Sequence, residues 1–151
     1  IRYPLRKLPK SNGGNKMAVT ELLRTESDGS LSFGNHTLNE KAKVEDYKYE
    51  GDLMKVKTYK PMTKLERNGL FVYESVPGTS VYNYSENESG VVFTVEGSED
   101  SQITVGLEDG ASYEVKVAGT SCGVMTTNMG GKLSFNVELG DSPVEVSIIK
   151  A

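Results

Sequence analysis

The 151-residue sequence has no tryptophan, one cysteine, one histidine and no apolar run near eighteen residues. Each shortage removes a possibility. Without a long apolar run, no transmembrane helix is expected. Cys122 alone forms no internal disulfide, which fits a reducing compartment. No 7–15-residue apolar stretch follows the basic start, as a secretory signal would require, so a cytoplasmic protein is expected. His36 in "FGNHTL" and Cys122 in "TSCGV" are too few for a zinc site, so neither a metal nor another cofactor is expected. His36 reads as a turn or surface histidine. Cys122 has no basic neighbour to favour its thiolate, and reads as a buried or strand-end thiol rather than a nucleophile.

Charge is scarce in one sign once the chain is divided. Residues 1–16, "IRYPLRKLPKSNGGNK", hold five basic residues and no acid. The remaining 17–151 therefore hold twelve Lys and Arg against 21 acids, a net charge of −9. An acidic body lacks the cations that displace counterions from phosphates, so neither nucleic acid nor an anionic membrane is an expected partner. The stretch "NGGNKM" (12–17) can be encoded with GGAGG a few bases ahead of an ATG codon, the pattern of a bacterial ribosome-binding site. Translation is thus expected to begin at Met17, with 1–16 a leader or vector-derived segment. A Gly-rich linker behind a basic arm is the other reading.

What the chain has in quantity is alternation. "LSF" (31–33), "DLMKVKTY" (52–59), "VVFTVEG" (91–97), "SYEVKV" (112–117), "KLSFNVELG" (132–140) and "PVEVSII" (143–149) each place apolar residues at every second position. That period belongs to strands with one face buried. Only "AVTELLRTE" (18–26) fits a helical turn or two, and it fits an extended segment as well. "RNGL" (67–70) is a hairpin signal, because Asn-Gly tolerates positive φ. "NMGGK" (128–132) is expected to join "CGVMTT" to "KLSFNV" in the same way. Short strands with turns every 8–12 residues predict an all-β, antiparallel β-sandwich, Ig-like or jelly-roll-like. The best-patterned part is 70–151; 17–69 is expected to add strands or a small N-terminal β subdomain.

Candidate chemistry is sparse. The 21 acids offer many pairs for glycoside hydrolysis, but none in a distinctive context. "EGSED" (96–100) and "ELGD" (138–141) read as solvated acidic turns rather than calcium loops. Two Tyr-x-Tyr pairs, Tyr47 with Tyr49 and Tyr82 with Tyr84, are each expected to project to one face of a strand. Exposed, they offer an aromatic surface to a sugar ring or a partner side chain; buried, they are core. "YESVPGTSVYNY" (73–84), with its Pro-Gly turn and small hydroxyl residues, reads as a candidate recognition loop.

The stretch "YEVKVAGTSCGVMTTNMGGKLSFNVELGDSPVEVSII" (113–149) resembles the β-sandwich modules appended to bacterial glycan-active enzymes. From "MAVTELLRTESDGSLSFGNHTL" through "KTYKPMTKLERNGLFVYESVPGTSV" to the end, the chain looks like a family of short bacterial proteins labelled "endosialidase". The first resemblance implies a sandwich, and the second implies action on a sialic acid polymer. The residues of a sialidase are nevertheless missing. Sialidases clamp a carboxylate with several arginines, and the body has Arg24 and Arg67 alone. The expected function is a non-catalytic acidic module that binds protein or glycan, or self-assembles as a homo-oligomer. The alternatives are a glycan-active hydrolase and an intracellular structural protein.

Overall fold

The computed structural model describes residues 18–140 and 142–151. The segment 1–16 and the expected start at Met17 lie outside them, as does Asp141 of the second acidic turn. The described residues form no helix and thirteen strands. These are β1 (Leu23–Thr25), β2 (Leu31–Phe33), β3 (Ala42–Tyr49), β4 (Asp52–Tyr59), β5 (Met62–Arg67), β6 (Leu70–Val76) and β7 (Ser80–Asn87). There follow β8 (Gly90–Glu96), β9 (Ser101–Gly106), β10 (Ser112–Val117), β11 (Thr120–Thr126), β12 (Lys132–Val137) and β13 (Val144–Lys150).

They pair antiparallel into a seven-stranded sheet, β1-β2-β7-β8-β13-β10-β11, and a six-stranded sheet, β12-β9-β6-β5-β4-β3. Neither sheet closes, and the two stack as the all-β sandwich expected from the alternation. The expected division at 69/70 falls within the β5–β6 turn, and strands from both sides of it build both sheets.

The alternating residues are the core. Met54, Val56 and Thr58 on β4 are buried, as are Val91, Phe93 and Val95 on β8 and Leu133, Phe135 and Val137 on β12. At the centre, Phe33 meets Tyr73 edge-on at 5.2 Å and Tyr84 at 5.8 Å between ring centroids, while Tyr84 stacks on Phe93 at 5.4 Å. Such geometries match the ring quadrupoles and add to the burial itself.

Turn chemistry explains three hairpins, whose two-residue turns at Glu50-Gly51, Asn68-Gly69 and Ala118-Gly119 have positive φ at both positions. Asn68 and Gly69 both have positive φ, 51° and 80°, the backbone of a type I′ turn between β5 and β6. "AVTELLRTE" forms a turn leading into β1, with the Val19 amide donating to Gly34 O at 3.2 Å, and not a helix. The segment "NMGGK" departs from expectation, because β11 and β12 lie in different sheets. β11 already pairs with β10 through the Ala118-Gly119 turn, so the Asn128 turn instead carries the chain across the sandwich.

The loop from β6 to β7 is a buried knot rather than a surface loop. Thr79 Oγ1 meets Tyr73 OH at 2.8 Å and Ser75 Oγ at 2.7 Å, and Thr63 Oγ1 donates to Thr79 O at 2.7 Å. Gly78, Thr79 and Ser80 are all buried. Hydroxyls satisfy one another here where water cannot reach, so the loop expected to recognise a ligand is a structural crossing between the sheets.

Candidate functional site

At the end of the sandwich where the β1–β2, β3–β4, β5–β6 and β7–β8 turns gather, the sheets part around a cleft of about 420 Å³. Its apolar wall includes Leu31, Met54, Leu65 and Val72; its polar lining includes Asp28, Glu50, Arg67, Tyr84 and Glu86. Apart from Tyr84, which lies within β7 and faces the core, these polar residues sit in or beside hairpin turns, where side chains no longer alternate into the core.

Arg67 organises the mouth. Its guanidinium lies 3.4 Å from Asp52 Oδ2, donates to Glu86 Oε1 at 3.1 Å, and sits 5.9 Å from the centre of the Tyr49 ring. Asp28 Oδ1 accepts from the Ser30 amide at 2.9 Å and from Ser30 Oγ at 2.5 Å. These bonds from Ser30 outweigh desolvation and hold the Asp28 carboxyl below its usual value. A carboxylate with a depressed folded pKa stabilises the fold above its unfolded value of about 4, and that contribution is lost as pH falls through the folded value. Carbon-detected NMR titration should therefore find Asp28 ionising below an unstructured aspartate. In Ser30→Ala, which removes the Oγ–H donor, the value should move back up.

The four tyrosines do not form one surface. β-Bulges intervene: Asp46 in β3 and Asn83 in β7 have positive φ, 57° and 56°, and the pairing register shifts across each. The bulge at Asn83 separates Tyr82 from Tyr84, so the shared face expected for this pair is lost. Tyr84 turns into the core at 5% exposure, whereas Tyr82 is half-buried and donates to Glu96 Oε1 at 2.8 Å. Tyr47 and Tyr49 both follow the bulge at Asp46 and keep a common, inward side. The Tyr47 hydroxyl meets Thr25 Oγ1 at 2.9 Å, and Tyr49 OH donates to Gly29 O at 2.6 Å. Both tie β3 to the β1–β2 hairpin.

The structure thus brings Tyr49 and Tyr84 to the wall of one cleft, both as buried core residues at 8% and 5% exposure rather than as an open aromatic surface, and leaves Tyr47 and Tyr82 outside it. Among the described residues, the Tyr84 hydroxyl is buried with no hydrogen-bond partner. Burial first, and then the negative charge of Glu86, push its pKa well above the usual phenol value, so it stays protonated as a donor. Arg67, Asp28 and Glu86 were not singled out together as site residues from sequence. Their shared signal is position beside turns that an up-and-down pairing sends to the same end.

The two rare nucleophile-type residues lie elsewhere. His36 occupies a turn, as expected, but is buried there, with Nδ1 2.7 Å from Ser80 Oγ. Ser80 is itself fully buried, so this pair belongs to the crossing rather than to an accessible reaction site. Cys122 is exposed on β11, not buried. Among the described residues, no group of three or more His, Cys, Asp or Glu is placed to hold a metal ion, and no helix is long and apolar enough to cross a membrane.

Fold and cleft together define an open antiparallel β-sandwich with a polar cleft between its sheets at one end. No family model, no curated protein and no solved structure matches the chain.

Proposed function

We propose that the protein is a non-catalytic binding module that takes a glycan end in the Tyr49–Tyr84 cleft. The observation that carries this reading is the buried Tyr84 hydroxyl, without a hydrogen-bond partner among the described residues, in a cleft with apolar and hydrogen-bonding walls. A sugar ring has matching chemistry: a C–H face for the aliphatic wall, and hydroxyls for Asp28, Glu86 and Tyr84.

The non-catalytic part of the proposal rests on the carboxylates. Asp28 is held ionised by Ser30, the opposite of the protonated state a general acid needs. Glu86 is engaged by Arg67. The same ion pairs disfavour a sialic acid carboxylate, since Arg67 already faces both Asp52 and Glu86. A cytoplasmic setting is part of the reading, supported by Cys122 standing as a free, exposed thiol.

Calorimetric titration with neutral oligosaccharides and with sialyl oligosaccharides tests the reading. Binding of a neutral oligosaccharide without release of new reducing ends is expected, and turnover of the sialyl compounds would overturn it. Tyr84→Phe is the informative variant. Removing an unsatisfied buried hydroxyl should leave stability unchanged or raise it by about 1 kcal/mol. The same change should weaken ligand binding several-fold.

A further inference from the structure

Strand register on the six-stranded sheet gathers charges that composition disperses. Seven of the twelve basic residues in 17–151 lie within 41–64, where there are four acids, a local net charge of +3. Lys43, Lys57 and Lys64 stand directly opposite one another on β3, β4 and β5. Val56 and Leu65, their chain neighbours, are fully buried, so Lys57 and Lys64 lie on the outer face. Lys55 continues the row along β4 and stands opposite Glu66 on β5, while Glu74 on β6 stands opposite Lys64. Adjacent strands are about 4.8 Å apart, and like charges directly opposite each other are destabilising. Lys43 is relieved by Glu45 at 2.8 Å and Lys64 by Glu66 at 3.7 Å. Among the described residues, Lys57 between them makes no ion pair.

The complement is on the same chain. Outside 41–64, the body carries five basic residues against seventeen acids, a net charge of −12. Part of that charge borders a second groove of about 510 Å³, where Glu86, Glu88 and Glu108 flank Leu107 and Tyr113. Glu86 is paired with Arg67 at 3.1 Å and Glu108 with Lys150 at 2.7 Å, so among the described residues Glu88 is the carboxylate of the three that makes no ion pair.

We propose that the Lys43–Lys57–Lys64 strip of one copy docks on the Glu88–Glu108 end of a second copy. The surfaces are different patches, so the contact is heterologous: copies add head to tail, and the assembly grows with concentration rather than closing as a symmetric dimer. Opposed charge steers the encounter, and salt screens it. The inference does not depend on the identity of any cleft ligand.

Sedimentation velocity of the whole chain tests it at ionic strengths of about 0.01 M and about 1 M, where the Debye length falls from roughly 30 Å to 3 Å. A mass that rises with concentration at low salt and returns to monomer at high salt is expected. The double variant Lys57→Glu/Lys64→Glu should stay monomeric at low salt, with an unchanged circular dichroism spectrum and a melting temperature no lower than that of the parent. Glu88→Lys, on the opposing surface, should do the same. A chain that is monomeric at low salt at every concentration overturns the proposal, even if it captures a polyanion such as heparin. So does association that survives either variant. Loss of glycan binding with association intact would instead refute the cleft reading alone.

Discussion

Gly78→Ala is expected to be among the most damaging single substitutions in this protein. A Cβ at that position would lie 2.1 Å from Tyr59 O and 3.1 Å from Lys60 O, both backbone atoms that cannot swing aside. The close approach is also held from the other direction, because the Gly78 amide donates to Lys60 O at 2.7 Å. Relief would require the β6–β7 crossing to lift away from the β4–β5 turn. That movement would break the buried Thr63–Thr79 and Tyr73–Thr79 hydrogen bonds in the same stroke. Ordinary overpacking costs about 1–3 kcal/mol. Here the loss of buried hydrogen bonds adds to it, so destabilisation beyond about 3 kcal/mol is expected, measured as a lowered urea midpoint. Gly69→Ala is the control: a Cβ there meets no atom within 4 Å, and the penalty is that of positive φ alone.

Phe33→Ala should produce the second large effect. Phe33 is fully buried on a strand of only three residues and touches the rings of Tyr73 and Tyr84, which link the two sheets. Truncation removes the ring's transfer free energy and leaves a cavity that paired strands cannot close, about 3–5 kcal/mol in total. The melting temperature should fall by on the order of 10 °C. Because Tyr84 loses a neighbour, ligand affinity at the cleft should fall with it. Phe33→Leu, which refills part of the volume, should recover much of both. A Phe33→Ala protein that melts within a degree or two of the parent would show that the aromatic cluster is not what joins the sheets.

The strands were legible because burial on one face forces a period of two, and Met54-Val56-Thr58 or Val91-Phe93-Val95 display it without interruption. Their partners were not, since pairing across a sandwich depends on which residues meet after long excursions. "NMGGK" has the composition of a hairpin, yet β11 had already found β10. The site was legible in part. Two of four tyrosines line the cleft: the bulge at Asn83 separates Tyr84 from Tyr82, while Tyr49 lies nearer the β3–β4 turn than Tyr47. Asp and Asn are the non-glycine residues that most readily take positive φ, but they are common in ordinary turns and so do not mark a mid-strand bulge. The hydroxyl residues of "VPGTS" suggested exposure, whereas mutual hydrogen bonding is what permits them to be buried. Arg67 and Glu86 are nineteen residues apart and come together only because both flank turns at one end. The lysine strip is likewise a property of register: an acidic composition concealed a face of opposite sign.

In the proposed reading, ligand enters between the sheets at the Tyr49–Tyr84 end and leaves chemically unchanged. Two-dimensional amide NMR during titration with the tightest-binding neutral oligosaccharide tests this most directly. Saturable shifts are expected to be confined to the cleft segments, at Gly29 and Ser30, Tyr49 and Glu50, Arg67, and Tyr84 to Glu86, with the sugar's own signals intact at the end. Shifts centred instead on Lys43, Lys57 and Lys64, or the appearance of hydrolysed sugar, would contradict that reading.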